Sequence, residues 1–181
     1  MTTSAQAVAV TGIESGEIAD LVRLAREGDR EAFGVLVERQ WSALVALARG
    51  LLAADTEAED VVQEALLHAW RRLWTLRRPE SFSAWMRRIV TRRCLTRARR
   101  QKPRQEAADV GVAEPEPGYR VDAARLLCAL APRQRAALYL TWIEGCTDQE
   151  AGRLMGLSPA TVRVHRFRGL QRLRQMTEEQ P

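Results

Sequence analysis

The sequence predicts an all-α protein in which two small helical domains are joined by a flexible linker, the second domain containing a helix-turn-helix. Apolar residues recur three and four positions apart beside Ala, Leu, Arg and Glu, and runs with the alternation of strands are hard to find. Proline and glycine interrupt this pattern in one central segment, residues 101–120. After it, capping residues and glycines stand where helices begin and end.

The central segment sets the expected domain boundaries. It carries three prolines and two glycines with few large apolar residues, so it cannot bury enough surface to offset the entropy of ordering. We therefore expect the following division: a disordered tail at 1–16, a first domain at 17–100, a linker at 101–120, a second domain at 121–175 and a short tail at 176–181.

Two helices are expected early in the first domain. The first covers residues 29–48, with Asp29 placed to cap its start. The second covers residues 56–76 and opens with Thr56 and Glu59, the spacing of a capping box. Its predicted buried stripe is Ala58, Val62, Ala65, Ala69, Leu73 and Leu76.

The opposite face of the second helix is mostly acidic and polar. Its residues lie three or four positions apart and therefore line one side: Asp60, Gln63, Glu64, Leu67 and Arg71. Acidic side chains around a single leucine suit docking against a partly basic partner helix. The alternative is an ordinary solvated face.

A third helix is expected from about Ser81 or Ser83 to Arg100, with Phe82, Trp85 and Ile89 on one stripe that is expected to be buried. It carries most of a basic run without any acidic residue: Arg87, Arg88, Arg92, Arg93, Arg97, Arg99, Arg100, Lys102 and Arg104. Such charge density favours a polyanionic partner, and about five phosphate contacts would give a salt slope of roughly −4 to −5. Trp74, just upstream, could touch an unpaired base.

Punctuation in the second domain predicts three more helices. Pro132 stands at the first turn of a helix that ends near Gly145. Thr147 and Glu150 have the spacing of a capping box and open a short helix. Ser158, followed by a proline, opens the last helix, which reaches about position 174.

The last two helices are predicted to form the helix-turn-helix. Gly152 is the small residue at their crossing, Gly156 accepts the positive φ of the turn, and Val162 fills the space between them. The predicted DNA-binding residues of the final helix are Thr161, Arg163, Val164, Phe167, Arg168 and Arg172. Arginine can donate two hydrogen bonds to a guanine edge, and apolar groups can touch a thymine methyl. The alternative is a plain helical hairpin with a solvated basic face.

Composition narrows the functional classes. The net charge of +5 favours a polyanionic partner, and the three cysteines and two histidines lie too far apart to predict a metal site. No metal or cofactor is therefore expected. The first sixteen residues lack the basic start and apolar block of a signal peptide, and no apolar stretch approaches the roughly 20 residues of a membrane span. We expect a cytoplasmic protein without membrane insertion.

Four segments together resemble the extracytoplasmic-function sigma factors, small bacterial transcription initiation factors built from two conserved regions. The segments are GDREAFGVLVERQW, AEDVVQEALLHAWRRL at 58–73, SFSAWMRRIV at 81–90, and the stretch from LAPRQRAAL to GLQRLR at 130–174. They occur in the family's order and cover nearly everything except the N-terminal tail and the linker.

The resemblance implies a role for each surface. The acidic face, with Asp60, Gln63, Glu64, Leu67 and Arg71, would bind the clamp helices of core RNA polymerase. The promoter minus-ten element would be bound by Trp74, Arg88, Arg92, Arg93, Arg97, Arg99 and Arg100. The helix-turn-helix residues would read the minus-thirty-five element, and an anti-sigma factor is an expected further partner. The chain would help to open promoter DNA without being an enzyme.

The sequence departs from the family at three positions that bear on these roles. Arg92 and Thr96 stand where the family often has Asn and Asp, in the helix expected to hold the minus-ten element. Arg166 stands where a buried leucine is usual in the final helix. The first two departures motivate a rival hypothesis, an adaptor that binds polymerase without melting promoters.

Two further rival functions belong to different classes of protein. A free-standing helix-turn-helix regulator would need a dimerisation surface, and the sequence contains no coiled-coil heptads. It would protect DNA specifically without polymerase. A nucleic-acid enzyme would need paired carboxylates, a metal cluster or an activated nucleophile, and the acids here lie along one helix face without a nearby His or Cys.

Overall fold

The computed structural model describes residues 16–52, 57–100 and 126–178, and within these ranges every regular element is helical. We number the main helices in chain order. They are α1 (16–26), α2 (Arg30–Leu52), α3 (Ala58–Arg72), α4 (Phe82–Arg100), α5 (Pro132–Leu138), α6 (Asp148–Met155) and α7 (Pro159–Glu178). The all-α prediction is therefore confirmed, whereas the predicted linker at 101–120 lies outside the described residues.

The N-terminal part is built from α1 to α4. Asp29 caps α2 as predicted, because its Oδ1 accepts hydrogen bonds from the amides of Glu31 at 2.9 Å and Ala32 at 3.0 Å. The helix extends to Leu52, one turn beyond the predicted end. Helix α1 was not predicted, although Val22 and other apolar residues at helical spacing pack it onto the core.

Helix α3 buries the predicted stripe, but it is shorter than predicted. It ends at Arg72, and the chain tightens into a 3₁₀ turn at Leu73–Thr75, where the Thr75 hydroxyl donates to the Arg72 carbonyl at 2.7 Å. Thr56, half of the predicted capping box, lies outside the described residues. All six residues of the predicted stripe are buried.

The buried stripe of α4 differs from the prediction. Phe82, Met86 and Val90 are fully buried, whereas Trp85 and Ile89 are half-buried at the edge of the core. The reason is tertiary: α4 packs against α2 and α3 on one side and against α5 and α6 on the other. The buried face of α4 is therefore wider than it would be if the helix packed against neighbours on one side only.

The C-terminal part follows its predicted punctuation. Pro132 opens α5, which continues through a π-helical turn at Tyr139–Ile143 to Gly145, with φ of 65°. Helix α7 begins at Pro159 and runs to Glu178, so the first residues of the predicted 176–181 tail are helical. Ser158 caps it by accepting the Thr161 amide at 3.1 Å.

The two parts of the chain share one buried apolar cluster. Helix α4 contacts α6, and α5 contacts both α2 and α4. The cluster therefore joins residues of the N-terminal part, such as Leu44 and Val90, with Leu140 and Val162 of the C-terminal part. None of the helices in the described part of the chain has the length and apolarity needed to cross a membrane.

Candidate nucleic-acid and protein interfaces

The turn between α6 and α7 has the geometry that a helix-turn-helix requires. A Cβ on Gly152 would lie 2.7 Å from the carbonyl oxygen of Leu157, so only glycine allows the chain to cross this closely. Gly156 has φ of 71°, and Val162 is fully buried between the helices. The three positions singled out in the sequence thus have the predicted geometry.

The outer face of α7 presents a shallow groove to solvent. Val164 and Phe167 are 46% and 60% exposed. They line the groove together with Arg163, Arg168 and Gln171, of which the glutamine was not among the predicted residues. The last two predicted residues lie beside this groove. Arg172 is exposed, and Thr161 is half-buried with its hydroxyl 2.8 Å from that of Ser158.

Arg166 forms an ion pair between the two helices. Its Nη1 lies 2.6 Å from Oδ1 of Asp148, and its Nη2 donates to Oδ2 at 3.5 Å. Both side chains are mostly buried, at 30% and 20% exposure. A charge-assisted contact at the start of α6 therefore stands where the sequence resemblance implied a buried leucine, and it fixes α7 against α6.

The predicted capping box at the start of α6 is confirmed. Thr147 Oγ1 accepts the Glu150 amide at 3.2 Å, and Glu150 Oε2 accepts the Thr147 amide at 2.8 Å. The backbone hydrogen bond from Thr147, followed by that from its hydroxyl, lowers the pKa of Glu150. The folded state therefore prefers the ionised carboxylate.

This capping box predicts a pH-dependent stability difference. Glu150→Gln removes a carboxylate whose folded-state pKa is lowered, so its stabilisation is present above the ordinary glutamate pKa and lost as the pH falls through the lowered value. Urea denaturation should show wild type more stable than the variant at neutral pH, with the difference shrinking as the pH falls below the ordinary glutamate pKa. A difference that is constant across this range would contradict the assignment.

The acidic face of α3 lies open to solvent. Asp60, Gln63, Glu64 and Arg71 are exposed, and Leu67 is 60% exposed among them. Glu64 Oε2 accepts a hydrogen bond from Nη1 of Arg93 at 3.1 Å. The acidic face of α3 and the basic face of α4 therefore meet at this ion pair.

The basic face of α4 is only partly free of acidic neighbours. Arg88, Arg92, Arg99 and Arg100 are exposed, and Trp74 is 77% exposed before the helix. Three more arginines are paired with carboxylates from outside α4: Arg87 with Glu144 at 2.8 Å, Arg93 with Glu64 at 3.1 Å and Arg97 with Glu57 at 3.2 Å. The basic run contains no acidic residue in the sequence, but carboxylates from other segments pair with three of its arginines. Fewer than nine positive charges therefore remain for a polyanionic partner.

Several structurally prominent residues were missed from the sequence. Arg135 is 6% exposed, and Tyr139 packs directly over Gly50. Trp142 and Ile143 are 59% and 60% exposed on the π-helical turn. Two signals were available in the sequence: Arg135 stands at the start of a mostly apolar run, and Gly50 lies inside a helical pattern. Neither signal indicates which residue it will contact.

Burial makes two of the three cysteines unreactive. Burial raises the pKa of the Cys94 thiol to about 12 and also raises that of Cys146, so both stay protonated near neutral pH. Within the three described ranges, no group of His, Cys, Asp or Glu could hold a metal ion. The exposed groove on α7 and the exposed acidic face of α3 are thus the features with the clearest functional geometry.

Two family models match the chain, Sigma-70 region 2 over residues 36–104 and Sigma-70 region 4 over residues 120–173. The chain is 30% identical to the ECF RNA polymerase sigma factor SigM of Mycobacterium tuberculosis, over 92% of this chain and 88% of that protein. It is 32% identical to the RNA polymerase sigma factor CnrH of Cupriavidus metallidurans, over 78% and 84%. It spans only 38% of the Xanthomonas campestris relative, the probable RNA polymerase sigma factor RfaY, at 34% identity.

Solved structures agree with these matches. CnrH in complex with the cytosolic domain of CnrY aligns with a TM-score of 0.64 at 28% identity, covering 91% of this chain and 99% of that one. The sigma factor RpoE of Bartonella quintana, solved with the anti-sigma factor NepR, aligns with a TM-score of 0.61 at 21% identity, over 82% of this chain and 98% of that one. The second likeness concerns the fold alone.

Proposed function

This chain belongs to the extracytoplasmic-function RNA polymerase sigma factors, and from that membership we propose how its surfaces share the work of promoter recognition. It is a transcription initiation factor. The observation that carries the assignment of roles is the presence of separate exposed surfaces, an acidic one on α3 and a DNA-reading one on α7. We propose that the chain itself performs no bond chemistry.

Helix α7 is proposed to read the minus-thirty-five element in the major groove. Arg163 and Arg168 would donate hydrogen bonds to base edges, while Phe167 and Val164 would contact thymine methyl groups. Their exposure around one groove supports this role, because base contacts require side chains that project from a supported helix. Thr161 and Arg172, at either end of the groove, are assigned to phosphates and to the edge of the site.

The basic face of α4 and Trp74 are proposed to hold the minus-ten element as it opens. Arg88, Arg99 and Arg100 are exposed and have no carboxylate partner in the described ranges, which suits phosphate binding. Trp74, at 77% exposure, is available to stack on an extruded base, which would offset part of the cost of unstacking. Arg92, Arg93 and Arg97 would join them after giving up the contacts they make within the chain.

Asp60, Gln63, Glu64, Leu67 and Arg71 are proposed to bind the clamp helices of core RNA polymerase. An exposed leucine surrounded by acidic and polar side chains provides an apolar anchor with a charged rim, which fits a partly basic helix.

We also propose an anti-sigma partner, since CnrH was solved with the cytosolic domain of CnrY. Trp142 and Ile143 are candidates for that contact, because exposed apolar pairs mark protein-binding surfaces. The location proposed is the cytoplasm.

Runoff transcription with purified core polymerase tests the proposal. Core polymerase with this chain is first used to select bound fragments from genomic DNA, and the selected fragments then serve as linear templates. Transcripts that start at a fixed distance from the selected motif, and only when the chain is present, are expected. Specific protection by the chain without polymerase would favour the free-standing regulator, and binding without transcript would favour the adaptor.

A further inference from the structure

The C-terminal end of α2 is capped by residues from the C-terminal part of the chain. The Nε of Arg135 donates to the carbonyl oxygen of Leu51 at 2.9 Å, and the hydroxyl of Tyr139 donates to the carbonyl oxygen of Ala46 at 3.3 Å. Leu51 lies in the last turn of α2, where carbonyls have no partner within the helix and carry the negative end of its dipole. A cation from a distant part of the sequence therefore completes this helix.

Arg135 is an unusual residue to bury. It is 6% exposed, and its hydrogen-bond acceptors in the described part of the chain are backbone carbonyls, those of Leu51 and of Cys128 at 3.4 Å. Burial lowers the pKa of Arg135, yet arginine remains a cation in proteins. Burying a cation is costly, and the carbonyl groups at the end of α2 offset part of that cost.

Gly50 is the position that admits Tyr139. A Cβ built on this glycine would lie 2.0 Å from Cε2 and 2.1 Å from Cζ of the tyrosine ring, so any other residue would push the ring away. Glycine weakens the interior of a helix relative to alanine. The close contact with Tyr139 explains why a glycine stands at this position inside α2. Burial, with the nearby Glu144 carboxylate, raises the pKa of Tyr139 to about 12, which keeps its hydroxyl a donor.

The same packing engages two arginines of α4. Nη2 of Arg87 lies 2.8 Å from Oε2 of Glu144, and Nη2 of Arg92 lies 2.9 Å from the position that a Cβ on Gly156 would take. Thr91, one turn after Arg87, is fully buried, and its hydroxyl has no hydrogen-bond partner among the described residues. The closed packing therefore holds two guanidinium groups against the C-terminal part and leaves a polar group unsatisfied.

We propose that Gly50, Arg135, Tyr139 and the Arg87–Glu144 ion pair form a latch that holds the free chain closed and withholds Arg87 and Arg92 from DNA, without an inhibitor protein. Its biological meaning rests on the proposed function. The minus-ten and minus-thirty-five elements, about 25 base pairs apart by the positions that name them, lie about 85 Å apart at 3.4 Å per pair. A compact chain of this length has a radius of gyration of about 16 Å. The closed chain cannot reach both elements, so the latch opens when polymerase and promoter are bound.

The substitution Gly50→Ala tests the latch. Alanine favours the helix but displaces the Tyr139 ring, so the latch opens while α2 is strengthened. The matched control is Gly34→Ala, in the same helix, where an added Cβ meets nothing within 4 Å. Small-angle scattering of the full chain is expected to show a larger radius of gyration for Gly50→Ala than for wild type, and no change for the control.

Binding to a random-sequence DNA duplex without polymerase gives a second measurement. Opening frees two arginines, so the affinity of Gly50→Ala should rise about tenfold and its salt slope should steepen by up to about 1.8. Glu144→Gln removes the carboxylate that holds Arg87, on a side chain that is 23% exposed, and should steepen the slope by about 0.9.

If Gly50→Ala and Glu144→Gln both match wild type in scattering and in salt slope, the latch is refuted. If Gly50→Ala fails to fold, Glu144→Gln alone decides, since a slope unchanged from wild type would also refute it. These measurements use no polymerase. Loss of polymerase binding by wild type would therefore contradict the proposed function without affecting the result for the latch.

Discussion

Combining Asp60→Lys with Leu67→Ala is expected to weaken binding to core RNA polymerase about a hundredfold, which corresponds to roughly 2.7 kcal/mol. Leu67 is 60% exposed, and Asp60 lies two turns before it on the same face of α3. The double variant removes the apolar anchor and places a cation against a partly basic partner, so attraction and packing are lost together. Fluorescence anisotropy of the labelled chain titrated with core polymerase measures the loss.

The choice of positions follows from the ion pairs of the structure. Glu64 lies on the same face, but its carboxylate holds Arg93 at 3.1 Å, so a lysine there would also repel α4. Glu38→Lys, at an exposed position on α2, makes the same change of net charge as the double variant and is the matched control. Equal affinities for control and double variant would show that the α3 face does not bind the polymerase.

Local features of the fold could be predicted because each depends on few residues. The Thr147–Glu150 capping box and the positive φ of Gly156 are determined within one turn of chain. Val162 is buried as predicted because the turn itself creates the space that it fills. The same reasoning predicted which residues of α7 face outward.

The contacts between distant parts of the chain could not be predicted from periodicity. Arg135 stands at the start of a mostly apolar run, and nothing local indicates that the end of α2 will accept its hydrogen bond. Because the basic run of α4 contains no acidic residue, Arg93 and Arg97 were predicted to contact DNA. In the structure they form ion pairs with Glu64 and Glu57, which lie far from them in the sequence. Ion pairs of this kind depend on helix packing, which a single sequence does not display.

Arg92 illustrates why a departure from the family pattern needs the structure for its interpretation. In the sequence, its place in the minus-ten helix motivates an adaptor that binds polymerase without melting DNA. In the structure its guanidinium lies over Gly156 at the turn of the helix-turn-helix. The contact gives this arginine a partner within the chain, so the departure does not by itself favour the adaptor.

Arg163→Ala is expected to lower transcription from the selected promoters about 10- to 100-fold and to relax the preference at one base pair of the minus-thirty-five element. A bidentate contact between arginine and guanine gives about 1–3 kcal/mol of discrimination against other bases. Arg163 is exposed in the α7 groove beside Phe167, so its loss leaves the fold and the neighbouring contacts in place. Transcription from a promoter library, sequenced at each position, measures both effects.

Arg172→Ala is the matched control, because it removes the same charge from an exposed position further along α7. A phosphate contact carries no base information, so this variant should weaken all promoters alike and reduce the salt slope by about 0.9. Specificity and affinity are thereby assigned to different arginines of one helix. If Arg163→Ala instead lowers transcription from all promoters alike, with no change of preference at any position, Arg163 binds a phosphate and does not read a base.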